Sequence, residues 1–204
     1  FYLSTCMLYK RDTLYYSNGR QLTADSLPEV LQTSESTCRR FLAVMEQQGY
    51  LQIEDGAVIM NTEYFARQSI RYWISDDRSF IRVYHNAYRC LYRQLENRQR
   101  GQLAYLIRMI PCLNEKHNIV CANKFAHDTS RIVPLDDKRI CEAVGYNPNQ
   151  SARLMRDLQA LHLENGQSAF KYNTEQHCFI IHPALFYEGD AQEAVLRDMN
   201  ENHE

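Results

Sequence analysis

Residues 33–51, TSESTCRRFLAVMEQQGYL, decide how this chain reads. The stretch predicts a short turn, a helix of about three turns and entry into a strand. Cys38, Phe41, Leu42 and Met45 fall at i, i+3, i+4 and i+7, which places them on one buried side. Ser34 supplies an N-cap oxygen for the orphan N–H groups of the first turn. Ser36, Thr37 and Arg40 then face outward, with Arg39 beside them. Short hydrogen-bonding side chains at a helix N-terminus, then arginine one turn later, suit a helix entering a major groove end-on. An ordinary amphipathic helix with a solvated face has the same pattern, so the flanking sequence has to decide.

Upstream, residues 1–10 (FYLSTCMLYK) predict a helix, residues 14–16 a short strand, and Ser17-Asn18-Gly19 a turn. Thr23 caps a second predicted helix through Leu31, with Leu27, Val30 and Leu31 inward. Pro28 would remove a ladder bond at its fifth position, so the helix either begins near Ser26 or has a distorted first turn. Downstream, strands at 50–53 and 57–60 flank Asp55-Gly56, a strong hairpin signal. Helix, tight turn, helix and β-hairpin form the winged helix-turn-helix pattern.

Composition allows this reading without demanding it. The 204 residues are 45% hydrophobic and 24% charged, as in a soluble globular protein of one large or two small domains. No apolar run reaches membrane-span length and no signal-peptide pattern occurs; the chain begins at Phe1 rather than Met, as a fragment would. Seven scattered cysteines without a C-x-x-C, most at apolar-facing positions, predict reduced thiols and a cytoplasmic location. Net charge is −2, which does not advertise nucleic acid. Its distribution is uneven, with +3 over residues 1–110, −5 over 111–204, and nine arginines against three carboxylates within 67–108. Arginine outnumbers lysine 18 to 5, and its planar fork suits phosphates and base edges. Surface carboxylates can equally occupy those guanidinium groups.

In the middle of the chain, the charged pair Asp76-Asp77 near Trp73 marks a boundary. Residues 80–84 read as a strand or as the lead into a helix. Tyr88, Leu91, Tyr92 and Leu95 show helical spacing, as do Leu103, Leu106, Ile107 and Ile110 before Pro111, with Asn97 separating the two helices. Arg89 and Arg93 lie one turn apart away from the apolar side, placed for phosphate contacts or for a subunit contact.

The second half repeats the first at an offset of 113. Thr23 matches Asp136 and Ser34 matches Asn147 as caps; Leu27 matches Ile140, Glu29 matches Glu142, and Leu31 matches Val144. Arg40, Phe41, Leu42 and Met45 match Arg153, Leu154, Met155 and Leu158. A strand near Leu163, a turn at Asn165-Gly166 and a strand at 178–181 complete the second hairpin. Beyond it the offset is 121 (Met60 with Ile181, Asn61 with His182, Phe65 with Phe186), so eight extra residues are expected inside the hairpin. The second reading helix presents Asn149, Gln150, Arg153 and Arg156; amides suit adenine and arginine suits guanine. The fold expected is therefore mainly α with small β-hairpin wings (α+β), two winged helix-turn-helix domains in tandem. The domains are 1–70, a linker at 71–84, and 85–204 with extra leading helices and a C-terminal helix.

The stretch LTADSLPEVLQTSESTCRRFLAVMEQQGYLQIEDGAVIMNTEYF resembles winged-helix proteins of Gram-positive plasmids and phages, both replication-initiator-like and MarR-like. FIRVYHNAYRCL, NIVCAN, PLDDKRICEAVGY and IIHPALFYEG resemble the second half of phage-encoded proteins of that type, so the resemblance covers residues 14–189. It implies double-stranded DNA as partner and a role in transcription regulation or DNA replication of a phage or plasmid.

Other chemistry fits poorly. Cys112, His117, Cys121 and His127 cluster without a zinc spacing, the glycines form no phosphate loop, and the fourteen tyrosines recur at core-facing helical positions without the partners of a tyrosine nucleophile. No enzyme, metal or cofactor is expected. The expected function is sequence-specific DNA binding by a monomer with tandem domains or a homodimer. Ser36, Thr37, Arg40, Asn149, Gln150, Arg153 and Arg156 would read bases, with Arg39, Arg89 and Arg93 on phosphates. The alternative, favoured by the acidic second half, is a winged-helix module that binds a protein as inhibitor or adaptor.

Overall fold

Ser34 starts the central helix: its Oγ accepts the Thr37 N–H at 3.3 Å, and α2 runs Glu35–Gln47. The computed structural model describes residues 1–68 and 80–187, an α+β arrangement of helices and two-stranded antiparallel sheets. The centre of the expected linker, with Arg71, Trp73, Asp76, Asp77 and Arg78, and the expected C-terminal helix lie outside the described residues. The chain divides into two compact units, Phe1–Arg78 and Ser79–Glu204.

In unit 1, helix α1 is a single turn, Leu27–Val30, after a 3-10 turn at Ala24–Ser26. Pro28 thus sits in the first turn of α1, where its missing N–H leaves no ladder bond unmade. One turn of helix offers little wall to α2, which buries only Cys38 and Leu42. Contrary to the spacing, Met45 is half-buried and Phe41 is 37% exposed; Val44, outside that set, is 55% exposed. Strands β1 (Leu51–Glu54) and β2 (Ala57–Met60) pair from Leu51↔Met60 to Glu54↔Ala57. Asp55 and Gly56 both have positive φ, 49° and 79°, which turns the chain in two residues with the twist a hairpin needs. The other edge of β2 carries residues 12–14, through Leu14 N–H to Val58 C=O and Met60 N–H to Asp12 C=O. That pairing draws the N-terminal segment into extended chain. The helix expected over 1–10 is one 3-10 turn, Leu3–Cys6, before Met7 bridges to Leu14.

Unit 2 opens with β3 (Arg82–Val83), which leads directly into α3 (His85–Gln94); α4 is Asn97–Arg108. The break falls at Leu95-Glu96, and Asn97 opens α4 rather than separating the helices, because Glu96 and Gln99 cap its first turn reciprocally. Tyr88, Leu91, Leu103 and Leu106 are buried; Tyr92, Ile107 and Ile110 are half-buried. Of the described tyrosines only Tyr2, Tyr88 and Tyr187 are buried, fewer than the sequence pattern implies. Helices α5 (Asp137–Val144) and α6 (Ser151–Gln159) follow, then β4 (Phe170–Asn173) paired with β5 (Cys178–Ile181), and β6 (Phe186–Tyr187) paired with β3.

The two units repeat one hydrogen-bond pattern. Tyr15 N–H donates to Cys6 C=O and Cys121 N–H to Cys112 C=O, both at 2.8 Å. Leu22 N–H reaches Leu14 C=O as Leu135 N–H reaches Val120 C=O. The bridges Met7↔Leu14, Tyr15↔Gln21 and Thr13↔Ile59 recur as Leu113↔Val120, Cys121↔Pro134 and Ile119↔Ile180. The repeat therefore reaches back to residues 7 and 113, at an offset of 106 that the sequence reading missed. Asn61 Oδ1 accepts the Glu63 N–H at 2.9 Å, and His182 Nδ1 accepts the Ala184 N–H at 3.1 Å in the matching place. The eight extra residues do not all lie inside the hairpin. β1 and β4 are offset by 119 and β2 and β5 by 121, so six precede the first strand and two lengthen the hairpin tip. The Asn165-Gly166 turn belongs to those six, closed by a bridge between His162 and Ser168, and is not the hairpin tip.

The turn between the paired helices needs a left-handed residue in both units: Gln32 has φ 52° and Gly145 φ 71°. Gly145→Ala should cost about 1 kcal/mol in chemical denaturation, all of it backbone, since the added Cβ would meet only Arg108 Nη1 at 3.7 Å. Gln32→Gly should shift unit 1 in the opposite direction by about 0.5–1 kcal/mol.

Candidate nucleic-acid interface

The exposed face of α2 is set by its two buried anchors. Opposite Cys38 and Leu42 lie Ser36, Arg40, Ala43 and Gln47, a stripe at i, i+4, i+7 and i+11. Ala43 and Gln47 were absent from the sequence-derived set, although the spacing that places Arg40 places them too. Arg39 and Arg40 make no ion pair or side-chain hydrogen bond with the described residues. The hydroxyls of Ser36 and Thr37 are partly engaged: Ser34 Oγ donates to Thr37 Oγ1 at 2.9 Å and lies 3.2 Å from Ser36 Oγ.

In unit 2, Asp136 Oδ1 accepts the Arg139 N–H at 2.8 Å and starts α5. Asn147 Oδ1 accepts the Asn149 N–H, and Pro148–Gln150 form a 3-10 turn before α6. Asn149 and Gln150 are therefore exposed on that turn rather than on the α-helix. Gln150 Oε1 lies at the limit of a hydrogen bond from the Tyr146 hydroxyl, 3.4 Å. Ser151 is buried, and its hydroxyl donates to Asp137 Oδ2 at 2.6 Å, tying the start of α6 to the start of α5. With Leu154, Met155 and Leu158 buried, Arg153 and Arg156 straddle the centre of the solvent face. Asp157 lies between them: its two oxygens are 3.9 Å from Arg153 Nε and Arg156 Nε. At that distance and exposure the pairs hold the guanidinium groups only weakly.

The other sequence-derived arginines do not join this face. Arg89, half-buried, and Arg93, exposed, sit on α3, outside the helix pair and its hairpin, and each already has an interaction partner. Arg67, Arg100 and Arg108 donate to the backbone carbonyls of Met7, Tyr92 and Val144 at 2.6, 3.2 and 2.9 Å. Those three arginines of the arginine-rich stretch 67–108 are thus engaged in holding the fold.

Charge separates the two helix pairs. Unit 2 has Lys138 and Arg139, both exposed, where unit 1 has Asp25 and Ser26. The unit 1 hairpin tip is acidic, Glu54 and Asp55, whereas the unit 2 hairpin carries Lys171, Glu175 and His177. The −5 of residues 111–204 resides in 188–204, with six carboxylates and one arginine; 111–187 carries eight charges of each sign.

Among the described residues no three His, Cys, Asp or Glu side chains converge as metal ligands. Burial pushes the thiols of Cys38, Cys112, Cys121, Cys141 and Cys178 above the ordinary thiol range, which keeps them protonated and poor nucleophiles at neutral pH. Comparison of the chain with protein-family models, with curated proteins and with solved structures returns no match.

A double-mutant cycle on Ser151→Ala and Asp137→Ala should give a coupling of about 1.5–3 kcal/mol in stability, as for a hydrogen bond to a charged group. With a thiol reagent at neutral pH, the native chain should react first at the half-buried Cys90 and Cys112, and at the buried Cys6, Cys38, Cys121, Cys141 and Cys178 only on unfolding.

Proposed function

We propose that the chain is a tandem winged helix-turn-helix protein that binds double-stranded DNA through unit 2, as a regulator of transcription or an initiator of replication on a phage or plasmid. The observation that carries this is the exposed face of α6. Arg153 and Arg156 stand side by side on a helix whose opposite face is locked to α5 by burial and by the Ser151–Asp137 bond. Arginine at that place suits guanine O6 and N7, and the flanking turn offers the Asn149 and Gln150 amides to adenine. Lys138 and Arg139, at the start of the first helix of the pair, suit the phosphates that such a helix crosses. The element order, two helices followed by a β-hairpin in each unit, supports the same reading.

Unit 1 fits a second role better. Phe41 and Val44 expose apolar surface on one flank of α2, and the surrounding helix pair and hairpin are acidic. That surface suits a protein partner or a second copy more than a phosphate backbone. Arg39 and Arg40, with Ser36 and Thr37, would then contribute contacts secondary to those of unit 2.

The test is binding of the full chain to its own replicon's DNA as salt is varied. Log K should fall linearly with log salt, and Arg139→Ala should reduce the slope by about 1 while weakening all sequences alike. Arg153→Ala should weaken preferred sites more than random DNA. Asp157→Asn should strengthen binding by about threefold to tenfold, since it frees both arginines of a competing carboxylate. No binding at low salt would sink the DNA reading.

A further inference from the structure

Most of the acidity of this chain lies in one short segment. Residues 1–187 carry 22 basic and 19 acidic side chains, whereas residues 188–204 (EGDAQEAVLRDMNENHE) carry six carboxylates and one arginine. The net charge of −2 is therefore owed to seventeen residues. Those residues follow directly on Tyr187, which β6 pairs with Arg82 of β3. Extended chain covers at most about 3.3–3.6 Å per residue, so the segment can reach about 55–60 Å from that point. A domain of about 100 residues has a radius of gyration of about 13 Å, so no part of the unit 2 surface is out of reach. Chain length leaves the choice of resting place to chemistry.

The complementary surface is the α5–α6 pair. Lys138 and Arg139 are exposed and make no ion pair or side-chain hydrogen bond with the described residues. Arg153 and Arg156 have side chains 51% and 76% exposed and share only Asp157, at 3.9 Å. The 2.6 Å bond from Ser151 to Asp137 holds the start of one helix against the start of the other, so the four cations stand on one helix pair. Of the carboxylates on the same helices, Asp136 and Asp137 accept bonds within the pair, which leaves Glu142 and Asp157 to oppose those cations. The three other lysines of unit 2, Lys116, Lys124 and Lys171, each have an interaction partner.

We propose that residues 188–204 lie on the α5–α6 pair when no DNA is bound, with their carboxylates on Lys138, Arg139, Arg153 and Arg156. Tethering supplies them at an effective concentration of about 1 mM, enough for contacts that are individually weak. Carboxylates and phosphates compete for the same guanidinium forks, so duplex has to displace the segment. Because the segment weakens every duplex by the same factor, it acts as a threshold rather than as a reader of sequence. The displacement rests on the DNA reading above; the resting place of the segment does not.

The first arm of the test needs no DNA. A zero-length carbodiimide joins a carboxylate to a lysine in contact with it, and the chain has five lysines, at 10, 116, 124, 138 and 171. In the full chain, bonds from residues 188–204 should fall predominantly on Lys138 of the same molecule. They should fade at about 1 M salt, where the Debye length is about 3 Å. Arg153→Gln with Arg156→Gln should cut their yield by about threefold or more. Bonds spread evenly over the five lysines would overturn the proposal. So would joined chains of twice the mass, which place the segment on a second copy. The second arm compares two variants of equal charge on random and preferred duplex. One carries Glu193→Gln, Asp198→Asn, Glu201→Gln and Glu204→Gln; the other carries Glu29→Gln, Glu54→Gln, Asp55→Asn and Glu175→Gln, all at exposed positions. The first should tighten both duplexes by about tenfold and steepen the fall of log K with log salt, because displacing the segment takes up counterions that DNA binding releases. The second should change affinity by less than about twofold. Equal tightening by both would reduce the effect to net charge and overturn the proposal. Absence of duplex binding in every chain would sink the DNA reading and the displacement with it, while bonds to Lys138 would still establish where the segment lies.

Discussion

A pair of four-residue strands is marginal in water by itself, and both hairpins of this chain are of that size. What makes them stable is a third segment laid along the second strand of each: residues 12–14 on β2 and residues 118–120 on β5. The main-chain bonds of that segment fix the register of the hairpin, and the hairpin in turn supplies apolar side chains such as Met60 and Ile181 to the core beneath the helices. In unit 2 the arrangement is reinforced by two buried amides. Asn114 Nδ2 donates to the carbonyls of Lys124 and Ala126, and its Oδ1 accepts the N–H groups of Lys116 and His117. Asn118 ties the same segment to β5 and β6. Polar groups buried with this many partners specify one geometry, because any other leaves several of them unpaired.

The local signals were legible in the sequence. Ser34, Asp136 and Asn147 cap as their side chains imply, and Asp55-Gly56 turns as its dipeptide implies. The offset of 113 was also legible, because it joins helices whose apolar positions recur. The extension of the repeat to Met7 and Leu113 was not. Those residues pair as isolated bridges in extended chain, with too few positions to show a period, and a loop of different length shifts the offset to 106. Phe41 was misjudged for a different reason. Its spacing is core-like, but its burial depends on how much helix lies opposite, and Pro28 shortens that helix to one turn. Within the candidate site, Arg153 and Arg156 follow from helical phase. The carboxylate they share was present in the spacing of Arg153 and Asp157 and was passed over.

The two copies show how one backbone plan separates into different surfaces. Asn61 and His182 differ in chemistry yet do the same work: an acceptor atom, Oδ1 or Nδ1, takes a backbone N–H two residues ahead. His182 Nε2 lies 3.0 Å from Gln167 Oε1, so with Nδ1 accepting from the backbone it is Nε2 that is placed to donate, and the two bonds fix the ring's orientation. Such positions tolerate exchange because the fold asks only for an acceptor. The solvent faces are under no such constraint, and there Asp25 and Ser26 stand opposite Lys138 and Arg139.

The thin anchoring of α2 has a consequence for motion. A helix of thirteen residues held by Cys38 and Leu42 has few apolar contacts to lose when it opens. Its amide protons should exchange with solvent through local fraying, at a free energy well below that needed to unfold the unit, while α6, with four buried side chains, opens only with its core. Whatever α2 meets must therefore supply the entropy of stilling it, so contacts there gain specificity from order acquired on binding, whereas α6 presents a face already rigid.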